Sequence, residues 1–285
     1  MKLGLVIEGG GLRSAFAAGA LKTLAEAGVA ADTVTSGGVG AICAAYARAG
    51  QLEALENLYG TFFDQHGELS RLEALQGERA VDGAEFLATV TEAAPLDMAA
   101  FAAAPASFYV STTRADNGDG VFWRLGDRSE WKQLRPYLEA TVAQPGKDQP
   151  VSLVERSYYA GPIAEPLPIA EALRQDCDKL LVIQTHPLRY NMPRQRLSVM
   201  MQLALRGLPD LRNAMLFSHL HDAQERRQLH QLQLARRAVV IAPLAESTSY
   251  KRYGVSRSAA AEFYAEGLRL TTKALPRLKD FLEAE

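Results

Sequence analysis

The sequence lacks most of the features that mark specialised classes of protein. Its 285 residues include only two cysteines, Cys43 and Cys177, which excludes a disulfide framework and the cysteine spacing of a zinc site. No apolar run reaches the roughly 18 residues that a membrane-spanning helix needs. The net charge is −2 and no cluster of Lys and Arg stands out, so the chain lacks a basic surface for nucleic acid. These absences predict a cytoplasmic protein without metal, cofactor or nucleic-acid partner.

What the chain does contain is a repeated order of strand, glycine loop and helix. The apolar run Leu3 to Ile7 predicts a buried strand, which leads into a glycine loop and then a helix over residues 14–27. A second short strand over residues 32–35 leads through another glycine loop into a helix that ends near Gly50. This order is typical of a parallel sheet with right-handed crossovers.

The rest of the chain continues the same pattern. It predicts a hairpin over residues 107–123, strands at 179–185 and 239–243, and helices at 51–100, 137–142, 169–173, 200–237 and 258–282. We therefore predict an α/β fold of three layers, a mostly parallel sheet flanked by helices, with a helical C-terminal part. With no internal repeat or linker, residues 1–285 are predicted to form one domain, with a core over about 1–190 and an extension over about 191–285 that contains a late strand.

The first glycine loop allows three interpretations. Gly9-x-Gly11-x-x-Ser14 approaches a dinucleotide-binding fingerprint, with Asp32 as the ribose acid. However, Ser14 replaces the third glycine, and Asp32 precedes its strand instead of following it. Alternatively, the loop is an oxyanion hole in which backbone N–H groups point inward and Arg13 offsets the developing negative charge. Its residues are Gly9, Gly10, Gly11, Leu12 and Arg13. A glycine-rich turn without a ligand is the third possibility.

The second glycine loop has the outline of a nucleophile elbow. Apolar β-type residues lead into Ser36-Gly37-Gly38, and a helix of small residues follows from Ala41. Such a strand-to-helix turn presents a nucleophile at the top of an α/β sheet. The corner position, where an oxygen or sulfur nucleophile is expected, is Gly38.

Together the two loops resemble the patatin-like phospholipase family of lipid acyl hydrolases, and the similarity extends over nearly the whole chain. It is closest to bacterial members with a helical C-terminal extension. The motifs that carry it are Glu8-Gly9-Gly10-Gly11-Leu12-Arg13, the elbow ending Gly40-Ala41, Ser111-Thr112-Thr113 with Asn117-Gly118, residues 140–145, and Tyr158-Tyr159-Ala160-Gly161 with Pro166-Leu167-Pro168.

The resemblance implies serine-type ester hydrolysis by a Ser–Asp dyad, with the glycine-rich loop stabilising the oxyanion. Matched residue by residue, Gly38 occupies the serine position and Ala160 the aspartate position. Losing a nucleophile costs on the order of 10⁴–10⁶ in kcat. We therefore predict a family member with impaired catalysis that retains an anion-binding loop for a lipid or fatty acyl ligand.

A few other residues are candidates to replace the missing serine and aspartate. Ser36 is a displaced nucleophile candidate, but two residues along an extended chain move a hydroxyl by roughly 6–7 Å. Glu165 and Asp148 are the candidate replacement bases, although solvated loop carboxylates are the simpler interpretation. The histidines, His186 among them, look isolated, which gives no support to a Ser-His-Asp triad or a metal site.

The origin of the two losses and the role of one helical stretch are also open at this point. Deliberate replacement of serine and aspartate in an active enzyme would explain a paired loss. Natural divergence is favoured because Ser36, Val39 and Pro162 depart from the pattern as well. The apolar, methionine-containing stretch Ser198 to His221 is either a plain core helix, which is the favoured interpretation, or a segment that shapes access to the acyl pocket through adaptable lipid contacts. Peripheral membrane contact by the protein is a separate open alternative. Arg226 and Arg227 are predicted to lie on a solvated helix face, and the oligomeric state is not predicted.

Overall fold

The structure, a computed structural model, describes residues 1–68, 83–245 and 256–283. Part of the predicted helical region 51–100 and the segment before the last helix lie outside the described residues. The described strands are β1 (Leu3–Ile7), β2 (Thr33–Ser36), β3 (Ser107–Arg114), β4 (Gly120–Arg124), β5 (Val151–Leu153), β6 (Arg156–Ala160), β7 (Lys179–Ile183) and β8 (Ala238–Ile241). They form a single eight-stranded sheet.

Helices cover both faces of this sheet. They are α1 (Ser14–Glu26), α2 (Val39–Arg48), α3 (Leu52–His66), α4 (Gly83–Ala93), α5 (Met98–Ala103), α6 (Trp131–Val142), α7 (Ile169–Arg174), α8 (Val199–Ala204), α9 (Pro209–Leu234) and α10 (Arg257–Glu283). Short 3-10 turns occur at Gly11–Arg13 and Gly161–Ile163.

The sheet is parallel at its centre and antiparallel at one side. Its order is β5-β6-β3-β2-β1-β7-β8, with β4 paired to β3. Strand β1 lies between β2 and β7 and is parallel to both, whereas β3, β4, β5 and β6 form antiparallel pairs. Because the chain fills one side of β1 first and the other side later, the strand order reverses at β1, and ligands of such sheets bind at the carboxyl end of the strand where this happens.

Alternation along β7 explains the three layers. Leu181 and Ile183 pack into the large core cluster that also contains residues of α1, α2 and α10. Leu180 and Val182 face the opposite cluster, which is completed by residues of α7 and α9. Successive side chains of a strand point to opposite faces, so a strand that is apolar throughout is buried between two helical layers. The predicted three-layer α/β fold is confirmed.

The first and last helices are in very close contact. A Cβ built on Gly19 of α1 would stand 2.2 Å from the Tyr264 carbonyl oxygen, and one on Gly267 of α10 would stand 2.2 Å from that of Phe16. Only glycine at both positions allows the two backbones to approach so closely. Phe16 and Phe263 complete the contact with ring centroids 5.5 Å apart.

Most predicted elements are present, with one omission. The break in the long helical stretch at residues 207–209 separates α8 from α9, and the β3–β4 hairpin is antiparallel as predicted. The hairpin of β5 and β6 was not predicted. Its turn has positive φ at Val154 and Glu155, residue types that give no turn signal in the sequence.

Candidate functional site

The elbow between β2 and α2 has an unusual backbone at its corner. Gly38 has φ 59° and ψ −148°, a conformation that side chains rarely adopt, and α2 begins at the next residue. Its N–H donates to Thr141 Oγ1 at 2.8 Å. The chain therefore turns sharply from strand to helix at Gly38, with no side chain at the corner.

Pro162 fills the space beside this corner. A Cβ built on Gly38 would stand 3.2 Å from Pro162 Cγ, and one built on Gly9 would stand 2.8 Å from the same atom. The proline ring thus lies between the elbow and the glycine-rich loop. The structure brings three of the predicted stretches together here: the loop after β1, the elbow after β2 and the turn after β6.

Ala160 ends β6 immediately before that turn. Its N–H donates to the Ala143 carbonyl at 2.8 Å, and its carbonyl accepts from Thr113 Oγ1 at 2.8 Å. The backbone position is therefore firmly held. The methyl side chain has no atom that could accept a proton, so this position supplies no general base.

The glycine-rich loop after β1 has unused hydrogen-bond donors. Thr185 Oγ1 donates to the Gly9 carbonyl at 2.7 Å, which fixes the direction of that peptide. Within the described residues, no protein group accepts a hydrogen bond from the Gly9 or Gly10 amide. Gly11 has φ +55° and open space where a Cβ would stand. Leu12 is buried in the core, and Arg13 is half-buried at the start of α1.

Ser36 lies inside the sheet instead of at the corner. The residue is fully buried at the end of β2, and its hydroxyl donates to the Ile7 carbonyl at 3.1 Å. The hydroxyl is hydrogen-bonded within the protein and has no access to the space around Pro162.

A buried charge network beneath the glycine-rich loop is the main feature that the sequence did not predict. The Glu8 carboxylate accepts from the Thr185 N–H at 2.6 Å and from His186 Nδ1 at 3.0 Å. Arg226 donates to the same carboxylate and, through Nε, to both oxygens of Asp222 at 2.9 Å. The interpretation of His186 as isolated is wrong, and so is the solvated position predicted for Arg226.

These contacts set the charges of the network. Burial by itself would raise the pKa of Glu8, but His186, Arg226 and the Thr185 N–H together lower it to about 2. Burial lowers the pKa of His186, and the charges of Arg13 and Arg226 act in the same direction, against the Glu8 carboxylate. At neutral pH the histidine is therefore neutral, with Nδ1–H donating to an ionised Glu8.

A second acidic pair lies beyond the Pro162 turn. Burial raises the pKa of Glu225, and the neighbouring Glu165 carboxylate raises it further, so Glu225 carries the proton that joins the two groups. The pKa of Glu165 is raised by burial as well. Glu225 also accepts from the Leu167 N–H at 2.8 Å. The solvated loop position predicted for Glu165 is wrong; Asp148, the other candidate base, accepts from the Gln144 N–H at 2.6 Å.

The geometry does not fit a dinucleotide site. Asp32 Oδ2 accepts from the Leu3 N–H at 2.7 Å, at the amino end of β1, whereas Gly9 to Gly11 follow its carboxyl end. The proposed ribose acid and phosphate loop are thus at opposite edges of the sheet. In the described ranges, no group of three or more His, Cys, Asp or Glu side chains could hold a metal ion.

Comparison with known proteins identifies the family. The family model described as patatin-like phospholipase matches residues 5–173, which include the glycine-rich loop, the elbow and the Pro162 turn. The chain belongs to the patatin-like phospholipase family. This confirms the resemblance seen in the sequence.

Other comparisons are more distant. The solved structure of VipD from Legionella pneumophila aligns with a TM-score of 0.47 and 9% sequence identity, over 95% of this chain and 67% of that chain. A search of curated proteins found no significant match. Among the described helices of this patatin-like chain, none is long and apolar enough to cross a membrane.

Proposed function

We propose that this patatin-like chain binds the anionic end of an acyl lipid at its glycine-rich loop and does not hydrolyse it at an appreciable rate. The observation that carries the proposal is Gly38. It has the backbone of a nucleophile elbow but no side chain, and Pro162 Cγ lies where a serine there would need room.

Acyl transfer through a dyad requires two groups that this site lacks. A nucleophile must approach the attacked carbon to about 3–3.5 Å, and a base must take its proton. Gly38 and Ala160 supply neither. Loss of such groups lowers kcat by on the order of 10⁴–10⁶, and what persists is the contribution of the oxyanion donors and binding.

The loop offers what a carboxylate or phosphate needs. The Gly9 and Gly10 amides have no acceptor among the described residues, and the N-terminal end of α1 adds partial positive charge. Arg13 carries a full positive charge beside the loop, with its Cβ 3.3 Å from the position that a Gly10 Cβ would take. An oxyanion hole stabilises negative charge on oxygen, so the donors that would hold a tetrahedral intermediate are suited to a fatty acyl carboxylate or a lipid phosphate.

The alternative of an active hydrolase that uses Ser36 is weaker. The Ser36 hydroxyl is fully buried and donates to the Ile7 carbonyl, so it would need a rebuilt elbow to reach a substrate. Deliberate replacement of the dyad is also weaker, because a proline beside the corner would already crowd a serine. A fluorophosphonate probe tests the first alternative, since labelling of Ser36 would contradict the proposal.

Calorimetry with fatty acids and lysophospholipids tests binding directly. We expect heat of binding for the wild type and a loss of about tenfold or more in affinity for Arg13→Gln, because a charge-assisted hydrogen bond contributes about 1.5–3 kcal/mol. Arg277→Gln, an exposed arginine of α10, is the matched control and is expected to bind normally. Absence of heat in a well-folded wild type would overturn the proposal.

A further inference from the structure

Helix α8 has two apolar faces, and only one of them is buried. Met201 lies against Gly146, and Leu205, just after the helix, is buried with Ala143 and Tyr159 in a small cluster close to Ala160. This inner face seats the helix beside the candidate site. The six-residue helix is thus held on the protein by its inner face alone.

The outer face of α8 is apolar and exposed. Val199, Met200 and Leu203 are exposed by 73%, 77% and 58%. Their spacing of three and four residues places them on one side of the helix. Isolated exposed apolar residues are common, but three adjacent ones on a helix that packs through its other side form a contact surface.

The chain segment that carries this surface has charge of a single sign. Residues 187–209 contain four arginines and no Asp or Glu. All four arginines are exposed, including Arg194 and Arg196 just before the helix. In a chain with a net charge of −2, this is a positively charged segment that carries an apolar patch and ends at exposed Asp210.

We propose that the outer face of α8 and its flanking arginines dock on an anionic lipid surface. Exposed apolar side chains enter the boundary between headgroups and acyl chains, and arginines beside them contact lipid phosphates. A second copy of this chain is a poorer occupant, because a two-fold interface would bring the like-charged arginines together. The docking places the Ala160 side of the candidate site next to the lipid.

This surface is separate from the glycine-rich loop, so the proposal does not rest on acyl binding there. Vesicle flotation tests it with phosphatidylcholine vesicles and with vesicles containing about one quarter phosphatidylglycerol. We expect flotation with the anionic vesicles only, weakened at about 0.5 M salt because surface charges are then screened. Equal flotation with both compositions, or none with either, would overturn the proposal.

Matched variants locate the surface. Leu203→Ser is expected to lower the partition coefficient about tenfold, and Leu234→Ser, a 72% exposed leucine of α9, to leave it unchanged. Arg194→Gln with Arg196→Gln is expected to lower it about 25-fold, at about fivefold for each arginine. Arg277→Gln is the charge control for the arginine variant. Equal losses of vesicle binding in a variant and its control would contradict the assignment of the docking surface to α8.

Two further measurements separate other outcomes. Calorimetry with a fatty acid in vesicle-free buffer is expected to give the same affinity for Leu203→Ser as for the wild type. A wild type that floats with anionic vesicles but gives no heat with the fatty acid would therefore overturn the proposed function and leave lipid docking standing. A dimer in size-exclusion chromatography that Leu203→Ser dissociates would show that α8 binds a second copy, and would overturn lipid docking.

Discussion

Pro162 Cγ lies 3.2 Å from the position that a Gly38 Cβ would take. The two residues come from different loops, one after β2 and one after β6. A glycine at the corner tolerates the proline ring, and the ring leaves little room for anything larger. The residue types at positions 38 and 162 are therefore coupled through one small volume.

This coupling predicts that restoring the dyad alone is insufficient. Gly38→Ser with Ala160→Asp is expected to hydrolyse nitrophenyl esters poorly, since the serine must displace the proline ring by a few tenths of an ångström. Adding Pro162→Gly is expected to raise the rate at least tenfold. The matched control keeps Ala160 and carries only the changes at 38 and 162; without the base it should stay inactive. A folded triple variant without esterase activity would contradict the register proposed for the two positions.

The Glu8 network predicts a loss of stability in acid. The pKa of Glu8 is about 2 in the folded protein, below its ordinary value of 4.5. A lowered pKa stabilises the fold above pH 4.5, and this contribution is lost as the pH falls toward 2. At pH 7 it amounts to about 3 kcal/mol.

Glu8→Gln should therefore be less stable than the wild type by about 3 kcal/mol at pH 7 in urea unfolding, and by about half of that at pH 3. Glu130→Gln removes an exposed carboxylate that pairs with Lys132 at the surface, and it is expected to change stability by less than about 1 kcal/mol. If the difference in free energy of unfolding between Glu8→Gln and the wild type stays constant with pH, the carboxylate is not ionised in the folded protein.

The Glu165–Glu225 pair predicts the opposite pH dependence. Burial and the neighbouring carboxylate raise the pKa of Glu225, so the folded state holds a proton that the unfolded state releases above about pH 4.5. Stability contributed by the pair thus falls as the pH rises. Glu225→Gln keeps an oxygen for the Leu167 N–H and an amide to donate to Glu165.

Urea unfolding should show Glu225→Gln close to the wild type at pH 5 and more stable by about 1–3 kcal/mol at pH 9. Asp148→Asn, which removes a loop carboxylate outside the pair, serves as the comparison and should show no such gain. Equal stabilities of Glu225→Gln and the wild type at pH 9 would argue against a shared proton.

The contact between α1 and α10 predicts a strong effect of one methyl group. A Cβ on Gly267 would collide with the Phe16 carbonyl at 2.2 Å, and neither backbone can move without separating the helices. Gly267→Ala is expected to lower the free energy of unfolding by about 3 kcal/mol. At Gly207, a Cβ would meet nothing within 4 Å, so Gly207→Ala should cause no loss. Thermal unfolding of the two variants is the test. A Gly267→Ala variant as stable as Gly207→Ala would show that the contact between α1 and α10 tolerates a methyl group.

The sequence predicted the elements of the fold better than the contacts of the site. Strand β1 is apolar, as is β7 after Lys179, and glycines follow the first two helices, so local pattern sufficed for the parallel centre of the sheet. The Glu8 network was missed because its partners His186 and Arg226 are 178 and 218 residues away in the chain. The only available signal was the position of Glu8, since an acid directly after a buried strand needs partners. Arg226 was assigned to solvent because helix periodicity gives no indication of which polar residue is buried.

The glycine contact between α1 and α10 also constrains the order in which the protein can assemble. About 230 residues separate the two helices, so at roughly 5–20 residues per second α10 leaves the ribosome on the order of 10–50 s after α1. Until then, the helix whose N-terminal end adjoins the glycine-rich loop lacks the partner with which it packs through Gly19 and Gly267. The loop is thus synthesised well before the helix that completes its support.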